Sequence, residues 1–228
     1  MVAVVQARMG SVRFPGKMMA DFQGAPIIEW VLRRLRRAAK LDAIVLATSE
    51  RDENQVLVDA AERIGVSTYQ GSEDDVLGRF VEAAKQAGAE TVVRVCADNP
   101  LIAPEAVDVL VEGFQRSGAD YAFNHVPRMD NGWPDGLGAE VLSFGTLDAI
   151  AARATAPAQR EHVTAYIWDH AEEYDILAVP CPQAWLDPDA SVRLDVDRPE
   201  DLARMNAAFA GAGIDWSVGD VLAAWRAQ

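Results

Sequence analysis

Three cationic side chains, Arg8, Arg13 and Lys17, follow an apolar run near the start of the chain, in the stretch VAVVQARMGSVRFPGK. The run at 2–5 is rich in valine and predicts a buried strand. The basic loop after it contains two glycines, one of them Gly10, and glycine lets a backbone approach a polyphosphate closely. Because open parallel α/β sheets bind ligands beyond the carboxyl ends of their strands, the sequence predicts a loop that binds phosphate groups. A basic surface turn is the alternative interpretation.

Two common phosphate-binding motifs do not fit this loop. In the P-loop, four residues separate the glycines, and a hydroxyl residue follows the lysine. Here five residues separate Gly10 from Gly16, and Met18 follows Lys17. The loop also lacks the G-x-G-x-x-G pattern, so a dinucleotide-binding fold is not indicated.

A carboxylate, Asp98, follows the apolar run at 91–95 in RVCADNPLIAPE. It is expected at the same edge of the sheet as the basic loop. A carboxylate there could bind Mg²⁺, which prefers oxygen ligands and commonly bridges substrate phosphates. Asp-Asn-Pro is also ordinary turn chemistry, which is the alternative for this segment.

A pair of carboxylates, Asp195 and Asp197, occurs in VRLDVDRPEDL. We expect both on a short strand, where residues two apart point to the same side. Like charges on one face repel unless a cation lies beside them. A helix beginning at Pro199 explains the later part of this segment equally well, and both interpretations can hold together.

The charge distribution limits the classes of partner. The 228-residue chain has a net charge of −14, which argues against a nucleic-acid partner. Its first 40 residues nevertheless carry eight Lys or Arg against two Asp or Glu. No run is long and apolar enough for a membrane span, no leader precedes the first strand, and the two cysteines have no metal or redox spacing. We therefore expect a cytoplasmic protein with no membrane partner.

Apolar runs alternate with helical patterns from the first residues onward, which predicts βαβ units and a mainly parallel sheet. The length suits one domain over 1–228. Beyond 2–5, the predicted strands are 43–48, 66–69, 91–95 and 121–123. The predicted helices are 27–39, 51–64, 74–87, 104–115, 144–153, 161–170, 200–210 and 218–227.

The segment QARMGSVRFPGK resembles the opening loop of the cytidylyltransferases that make CMP-activated sugars. The resemblance is to the spore-coat-polysaccharide type, related to CMP-Kdo and CMP-sialate synthetases, and it extends through RVCADNPLIAPE and VDRPEDL. It implies a single Rossmann-like nucleotidyltransferase domain with a mixed sheet, which transfers CMP from CTP to a small acidic acceptor and releases pyrophosphate. The implied metal is Mg²⁺, bound by Asp98 and Asp197, while Arg8 and Lys17 stabilise the departing pyrophosphate, with Arg13 helping.

The resemblance also suggests where the base and the acceptor lie. Candidates for reading the base are Gln6, Ala7, Arg8, Thr48 and Arg79. The excursion at about 124–170 is expected to contact the acceptor and to support a homodimer. Its candidate acceptor contacts, to which Asp195 is added as a supporting residue, are Asn124, Asp135, Glu140, Arg160 and His162. Relatives often have Asp where this chain has Gly138, and His162 could equally be structural or solvent-facing.

Several rival functions remain open at this stage. GTP could replace CTP, and a phosphonate or a sugar phosphate could be the acceptor. A glycosyltransferase could use Asp195-Val196-Asp197 as a D-x-D metal motif, and it would not release pyrophosphate. A non-catalytic subunit would bind the nucleotide without turnover.

Overall fold

Residues 1–227 are described by a computed structural model, in which a seven-stranded sheet carries helices on both faces. The last residue of the predicted domain, Gln228, lies outside the described residues. The strands are β1 (Val2–Gln6), β2 (Asp21–Phe22), β3 (Ala25–Pro26), β4 (Ala43–Ser49), β5 (Ser67–Gly71), β6 (Thr91–Cys96), β7 (Tyr121–Phe123), β8 (Glu140–Ser143) and β9 (Ile176–Ala178). The α-helices are α1 (Ile27–Leu35), α2 (Gln55–Arg63), α3 (Val76–Gln86), α4 (Pro104–Ser117), α5 (Phe144–Arg153), α6 (Pro157–Glu161), α7 (Ala165–Asp169), α8 (Pro199–Ala208) and α9 (Val218–Arg226).

The sheet order is β5-β4-β1-β6-β8-β7-β9. Strands β5, β4, β1 and β6 are parallel, whereas β8 runs antiparallel to both of its neighbours. The predicted mixed, mainly parallel α/β fold is therefore confirmed. Because the chain crosses from β1 to β4 on one side and later places β6 on the other, the carboxyl end of β1 is a switch point, where such sheets bind ligands.

Alternation along the strands fills two separate core layers. In β1, Ala3 and Val5 pack against the layer that contains α1 and α4, while Val2 and Val4 pack against the layer that contains α3 and α5. This alternation assigns a sheet face to every side chain that follows along β1, β4 and β6. The faces matter because the strand residues that line the cleft described below, Gln6, Arg94 and Cys96, share one face.

Two local predictions were wrong. The predicted helix 161–170 is divided into α6 and α7, because the residues between them leave the helix and bury Val163 and Thr164. Asp195 and Asp197 do not lie on a strand; the only pairing in the segment is an isolated bridge between Arg193 and Asp135. The two-stranded hairpin β2–β3 and the three-residue strand β9 were not predicted, since neither is long enough to show a periodic pattern.

The long polar segment 124–138 is ordered by its own contacts. Trp133 is fully buried, and its indole nitrogen donates to the Val179 carbonyl at 2.8 Å. The Asn131 amide donates to the Val126 carbonyl at 3.0 Å. Gly136 has a φ of 93°, a conformation that favours glycine. The segment is therefore an ordered, packed part of the domain, next to the carboxyl end of β6.

Candidate active site

The basic loop after β1 closes on itself through its backbone. The amide of Gly16 donates to the Met9 carbonyl at 3.1 Å, and the amide of Lys17 donates to the Phe14 carbonyl at 3.1 Å. Gly16 adopts a φ of 75° and begins a short 3-10 turn at Lys17. The loop is also tied to the sheet, since the Met9 amide donates to Asn54 Oδ1 at 2.8 Å. This geometry directs the lysine side chain inward, beneath the loop.

Lys17 lies between two carboxylates. Its side chain is 8 % exposed, and its Nζ is 3.8 Å from Asp98 Oδ2 and 3.5 Å from Asp197 Oδ1. Arg13 Nη2 lies 2.9 Å from the other oxygen of Asp197. Residues far apart in the sequence therefore form one alternating group of cations and anions at the carboxyl end of β6.

Backbone contacts hold the second carboxylate in place. The amide of Val196 donates to the Asp98 carbonyl at 2.9 Å, so the segment before α8 is attached to the end of β6. The amides of Asp197 and Arg198 donate to Asp201 Oδ2 at 3.1 and 2.9 Å, which caps the start of α8. Asp201 satisfies amides that a helix start leaves without partners. The helix entry predicted from sequence thus exists, and it positions Asp197.

A cleft of about 370 Å³ opens beside this group. Every cation of the basic loop lines it, together with both carboxylates that Lys17 contacts. The residues that line it include Gln6, Ala7, Arg8, Arg13, Lys17, Arg94, Cys96, Asp98, Glu161, His162 and Asp197. Gly10 is not part of that lining; a Cβ there would lie 3.1 Å from the Glu53 carboxylate.

The donor set can be compared with what a metal requires. Among residues 1–227, no group of three His, Cys, Asp or Glu side chains is arranged to hold a metal ion. Two facing carboxylates are nevertheless a set that Mg²⁺ uses when substrate phosphates and water complete its coordination. Burial raises the pKa of the Asp98 carboxyl; Lys17 opposes this rise, and Asp197 adds to it. A cation is therefore needed between these carboxylates, and Lys17 supplies it in this structure.

Arg94 is a lining residue that the sequence analysis missed. It lies in β6 opposite Glu140 of β8, and its Nη1 donates to the Glu140 carboxylate. The other Glu140 oxygen accepts from the Tyr121 hydroxyl at 2.5 Å and from the Thr164 hydroxyl at 2.7 Å. Burial disfavours charge on Glu140, but Arg94 outweighs it and lowers the Glu140 pKa to about 2. A lone arginine within the apolar strand TVVRVC was the signal that could have drawn attention to it.

Comparison with known proteins identifies the family that carries this arrangement. The chain matches the cytidylyltransferase family over residues 2–205, which include the basic loop and both carboxylates. The chain belongs to the cytidylyltransferase family.

Relatives and solved structures agree with this assignment. The spore coat polysaccharide biosynthesis protein SpsF of Bacillus subtilis is 30 % identical over 215 residues, covering 92 % of this chain and 86 % of that protein. The 3-deoxy-manno-octulosonate cytidylyltransferase of Trichlorobacter lovleyi is 36 % identical over 115 residues, covering 50 % of this chain and 44 % of that protein. A cytidylyltransferase structure from Leptospira borgpetersenii matches with a TM-score of 0.90 at 25 % identity, covering 99 % of this chain and 94 % of that one.

The candidates for base reading in this cytidylyltransferase lie on different faces of the sheet. Arg79 is buried on α3, where its Nη1 donates to the Ser72 carbonyl. Its Nε and Nη2 have no hydrogen-bond partner among residues 1–227. Gln6 follows Val2 and Val4 on the sheet face that α3 covers, and its Oε1 is also buried without a partner. Thr48 is buried too, but it follows Leu46 on the opposite face. Arg79 and Gln6 therefore share a sheet face that Thr48 does not, but Gln6 lines the cleft whereas Arg79 lines a neighbouring hollow.

Two candidate acceptor contacts have internal partners. Asn124 is fully buried; its Nδ2 donates to the Ala106 carbonyl at 2.8 Å, and its Oδ1 accepts from the Ala139 amide at 2.9 Å. Gly138 lies so close to Asn124 that any Cβ would clash, so the Asp of relatives cannot be accommodated with this packing. Glu140 is likewise saturated by Arg94, Tyr121 and Thr164, and it does not line the cleft.

Asp135 and Asp195 form a second acidic group around Arg193. Arg193 lies 3.4 Å from Asp195 Oδ1 and 3.9 Å from Asp135 Oδ2. Burial, followed by the charge of Asp195, raises the pKa of Asp135 to about 6, although Arg193 opposes the rise. These carboxylates also raise the pKa of nearby groups, since Asp195 contributes to that of Asp98. The pair therefore lies next to the Lys17 group rather than within it.

The remaining acceptor candidates lie at the rim. His162 is exposed, directly follows α6 and lines the cleft. Arg160 pairs with Asp75 at the start of α3 and donates from Nη1 to the Ala151 carbonyl at 2.7 Å. A neighbouring hollow joins Arg160 to Arg8, whose Nη1 lies 3.2 Å from Glu73 Oε1. The structure thus connects α6 with the basic loop along one rim.

Among residues 1–227, no helix is long and apolar enough to cross a membrane.

Proposed function

We propose that this cytidylyltransferase is Mg²⁺-dependent and transfers CMP from CTP to a small acidic acceptor, releasing pyrophosphate. The observation that carries the proposal is the position of Lys17, buried under the basic loop and within 3.8 Å of Asp98 and 3.5 Å of Asp197. A triphosphate bound at this loop meets cations on one side and a pair of carboxylates on the other. That is the charge pattern that nucleotidyl transfer requires.

Each charged group has a defined task in this reaction. Asp98 and Asp197 would hold Mg²⁺, which, when bound, neutralises phosphate charge and makes the α-phosphorus more electrophilic. Arg8, Arg13 and Lys17 bind the β- and γ-phosphates. The acceptor oxygen forms a bond to the α-phosphorus as the bond to the bridging oxygen of the β-phosphate breaks, and the hydroxyl proton is released. The cations stabilise the pyrophosphate that leaves.

The unpartnered atoms near α3 favour CTP over GTP. Arg79 offers two unsatisfied donors, Nε and Nη2, and Gln6 offers one unsatisfied acceptor on the same sheet face. The pairing edge of cytosine presents two acceptors and one amino donor, which complements this set. The pairing edge of guanine presents one acceptor and two donors, which matches it less well.

The relatives support a sugar acid as the acceptor class. One relative is named a 3-deoxy-manno-octulosonate cytidylyltransferase, and another is named for spore coat polysaccharide biosynthesis. We propose that this chain also supplies a CMP-activated sugar for polysaccharide synthesis. A homodimer formed through the 124–170 excursion stays a prediction, which size-exclusion chromatography with light scattering would test.

The proposal is tested by pyrophosphate release with Mg²⁺ across the four ribonucleoside triphosphates, combined with sugar acids, sugar phosphates, phosphonates and neutral sugars. We expect release only with CTP and an acidic acceptor, and thermal stabilisation by CTP alone. Asp98→Asn should abolish release, whereas Asp195→Asn should retain most of it. No pyrophosphate release by the wild-type protein, with stabilisation only by a nucleoside-diphosphate sugar, would instead support a D-x-D glycosyltransferase. CTP stabilisation without release would indicate a binding subunit.

A further inference from the structure

Arg94 is a buried cation in the middle of the sheet. Its neighbours Val93 and Val95 point into the core layer on one face, while Arg94 points to the other face, beside Val4 in register. Its side chain is 13 % exposed, and it lines the floor of the cleft. Buried arginines are rare unless they are paired or bind a ligand. The hydrogen-bond partner of each guanidinium nitrogen therefore has to be identified.

Within residues 1–227, only one edge of the Arg94 guanidinium makes a hydrogen bond. Nη1 donates to Glu140, which is also held by the hydroxyls of Tyr121 and Thr164. Nε is buried and has no partner, and Nη2 makes no hydrogen bond in the described part of the chain. Glu140 therefore fixes the plane of the guanidinium and leaves the adjacent Nε and Nη2 donors facing away from it. Buried donors of this kind are normally satisfied.

The free edge has the geometry of a carboxylate receptor. Nε–H and Nη2–H point in parallel, and this arrangement matches the two oxygens of one carboxylate. Arg94 lies in β6, Asp98 lies two residues beyond the end of that strand, and both side chains line the same cleft. An acceptor between them can place its hydroxyl near the Lys17 group and its acid group near Arg94.

The triphosphate does not account for this edge. The loop cations Arg8, Arg13 and Lys17 meet the phosphates from the β1 side of the cleft, at the carboxyl end of the sheet. Arg94 lies on the β6 side, next to the antiparallel strand β8. We propose that Arg94 binds the carboxylate of the acceptor through Nε and Nη2, with Glu140 holding the guanidinium in place. This inference rests on the proposed function and assigns the acidic acceptor a binding site.

The test uses isothermal titration of the whole protein, with and without CMP and Mg²⁺. The probes are 3-deoxy-manno-octulosonate, N-acetylneuraminate and glucuronate, each beside its neutral methyl ester. We expect the wild-type protein to bind at least one acid about 30-fold more tightly than its ester. Arg94→Lys keeps the charge opposite Glu140 and removes the parallel donors, so acid binding should weaken by about 30-fold, or about 2 kcal/mol. The KM for the acceptor should rise by a similar factor, while the KM for CTP stays within about 2-fold.

Two further variants separate binding from folding. Arg94→Met combined with Glu140→Gln removes both buried charges, so it tests acid binding without leaving an unpaired carboxylate. Arg34→Lys is the matched control: Arg34 is also buried with a free Nη2, and it donates to the carbonyls of Ile102, Ile214 and Trp216. Arg34→Lys should lower the melting temperature without changing acid binding.

The outcomes distinguish this inference from the proposed function. Equal affinity for an acid and its ester would overturn the inference, as would unchanged acid binding in Arg94→Lys or failure of every acid to bind the wild-type protein. Pyrophosphate release with a neutral sugar would overturn it while leaving CMP transfer intact. Absence of CTP binding and of pyrophosphate release would instead overturn the proposed function.

Discussion

The buried ammonium of Lys17 contacts Asp98 and Asp197 together, and this leads to a specific prediction. Under the proposed function, Mg²⁺ binds oxygen atoms of the same two carboxylates. The lysine then competes with the metal until a triphosphate draws it away. Lys17→Met should therefore bind Mg²⁺ more tightly than the wild-type protein when no nucleotide is present.

The size of the effect follows from the distances. At the effective dielectric constant of protein sites, an ion pair near 4 Å has a gross attraction of about 4 kcal/mol. The Asp98 and Asp197 side chains are 33 % and 31 % exposed, so solvent screens each pair toward about 1 kcal/mol. Two such pairs give about 2 kcal/mol, which corresponds to roughly 30-fold in metal affinity.

The assay is calorimetric titration of the nucleotide-free protein with Mg²⁺, with Mn²⁺ as a spectroscopic check. Lys40→Met is the control, because Lys40 makes an exposed pair with Glu112 at 3.3 Å. That variant should bind metal as the wild-type protein does. Lys17→Met should also lose affinity for CTP more than for CMP, since the β- and γ-phosphates lose a cation. Unchanged or weaker metal binding in Lys17→Met would refute the competition.

Two more predictions concern buried polar groups. The Glu140 pKa of about 2 lies below the value of about 4.3 expected in the unfolded chain, so its contribution is present above pH 4 and is lost as the pH falls toward 2. Urea unfolding at pH 5 and pH 3 should show a loss of about 2 kcal/mol that Glu140→Gln lacks, and parallel losses in the two proteins would contradict this. Asn124→Ala removes hydrogen bonds to Ala106 and Ala139, which should cost about 2 kcal/mol and lower the melting temperature by about 4–8 °C, with the acceptor KM unchanged. A raised KM at an unchanged melting temperature would show that Asn124 contacts the acceptor directly.

The sequence predicted the central strands of the sheet better than the short elements at its edge. Alternating apolar runs located β1, β4 and β6 within a few residues, because buried parallel strands carry long β-branched patterns. The helix predicted at 161–170 was wrong, since Thr164 leaves the helix to donate to Glu140, a contact that no local pattern encodes. Strand β9 has three residues, which is too short for periodicity to reveal.

The sequence predicted those parts of the candidate site that directly follow a strand. Asp98 and the basic loop follow strands whose carboxyl ends meet at one edge, and the structure places them at one cleft. The proximity of Asp197 depends on the bond between the Val196 amide and the Asp98 carbonyl, which spacing along the chain does not reveal. The internal role of Asn124 and the free edge of Arg94 depend on which hydrogen bonds form in the folded protein, and the sequence does not show that.

The attachment of Val196 to Asp98 also sets an order of events during synthesis of the protein. The last strand of the sheet ends at Ala178, so a nascent chain of that length already holds every strand, the basic loop and one carboxylate. Asp197 emerges from the ribosome only later, followed by α8, whose start fixes it in place. A chain that stops before Asp197 therefore carries the basic loop and Asp98 without the second carboxylate. Under the proposed function, such a chain would lack one of the two groups that hold Mg²⁺.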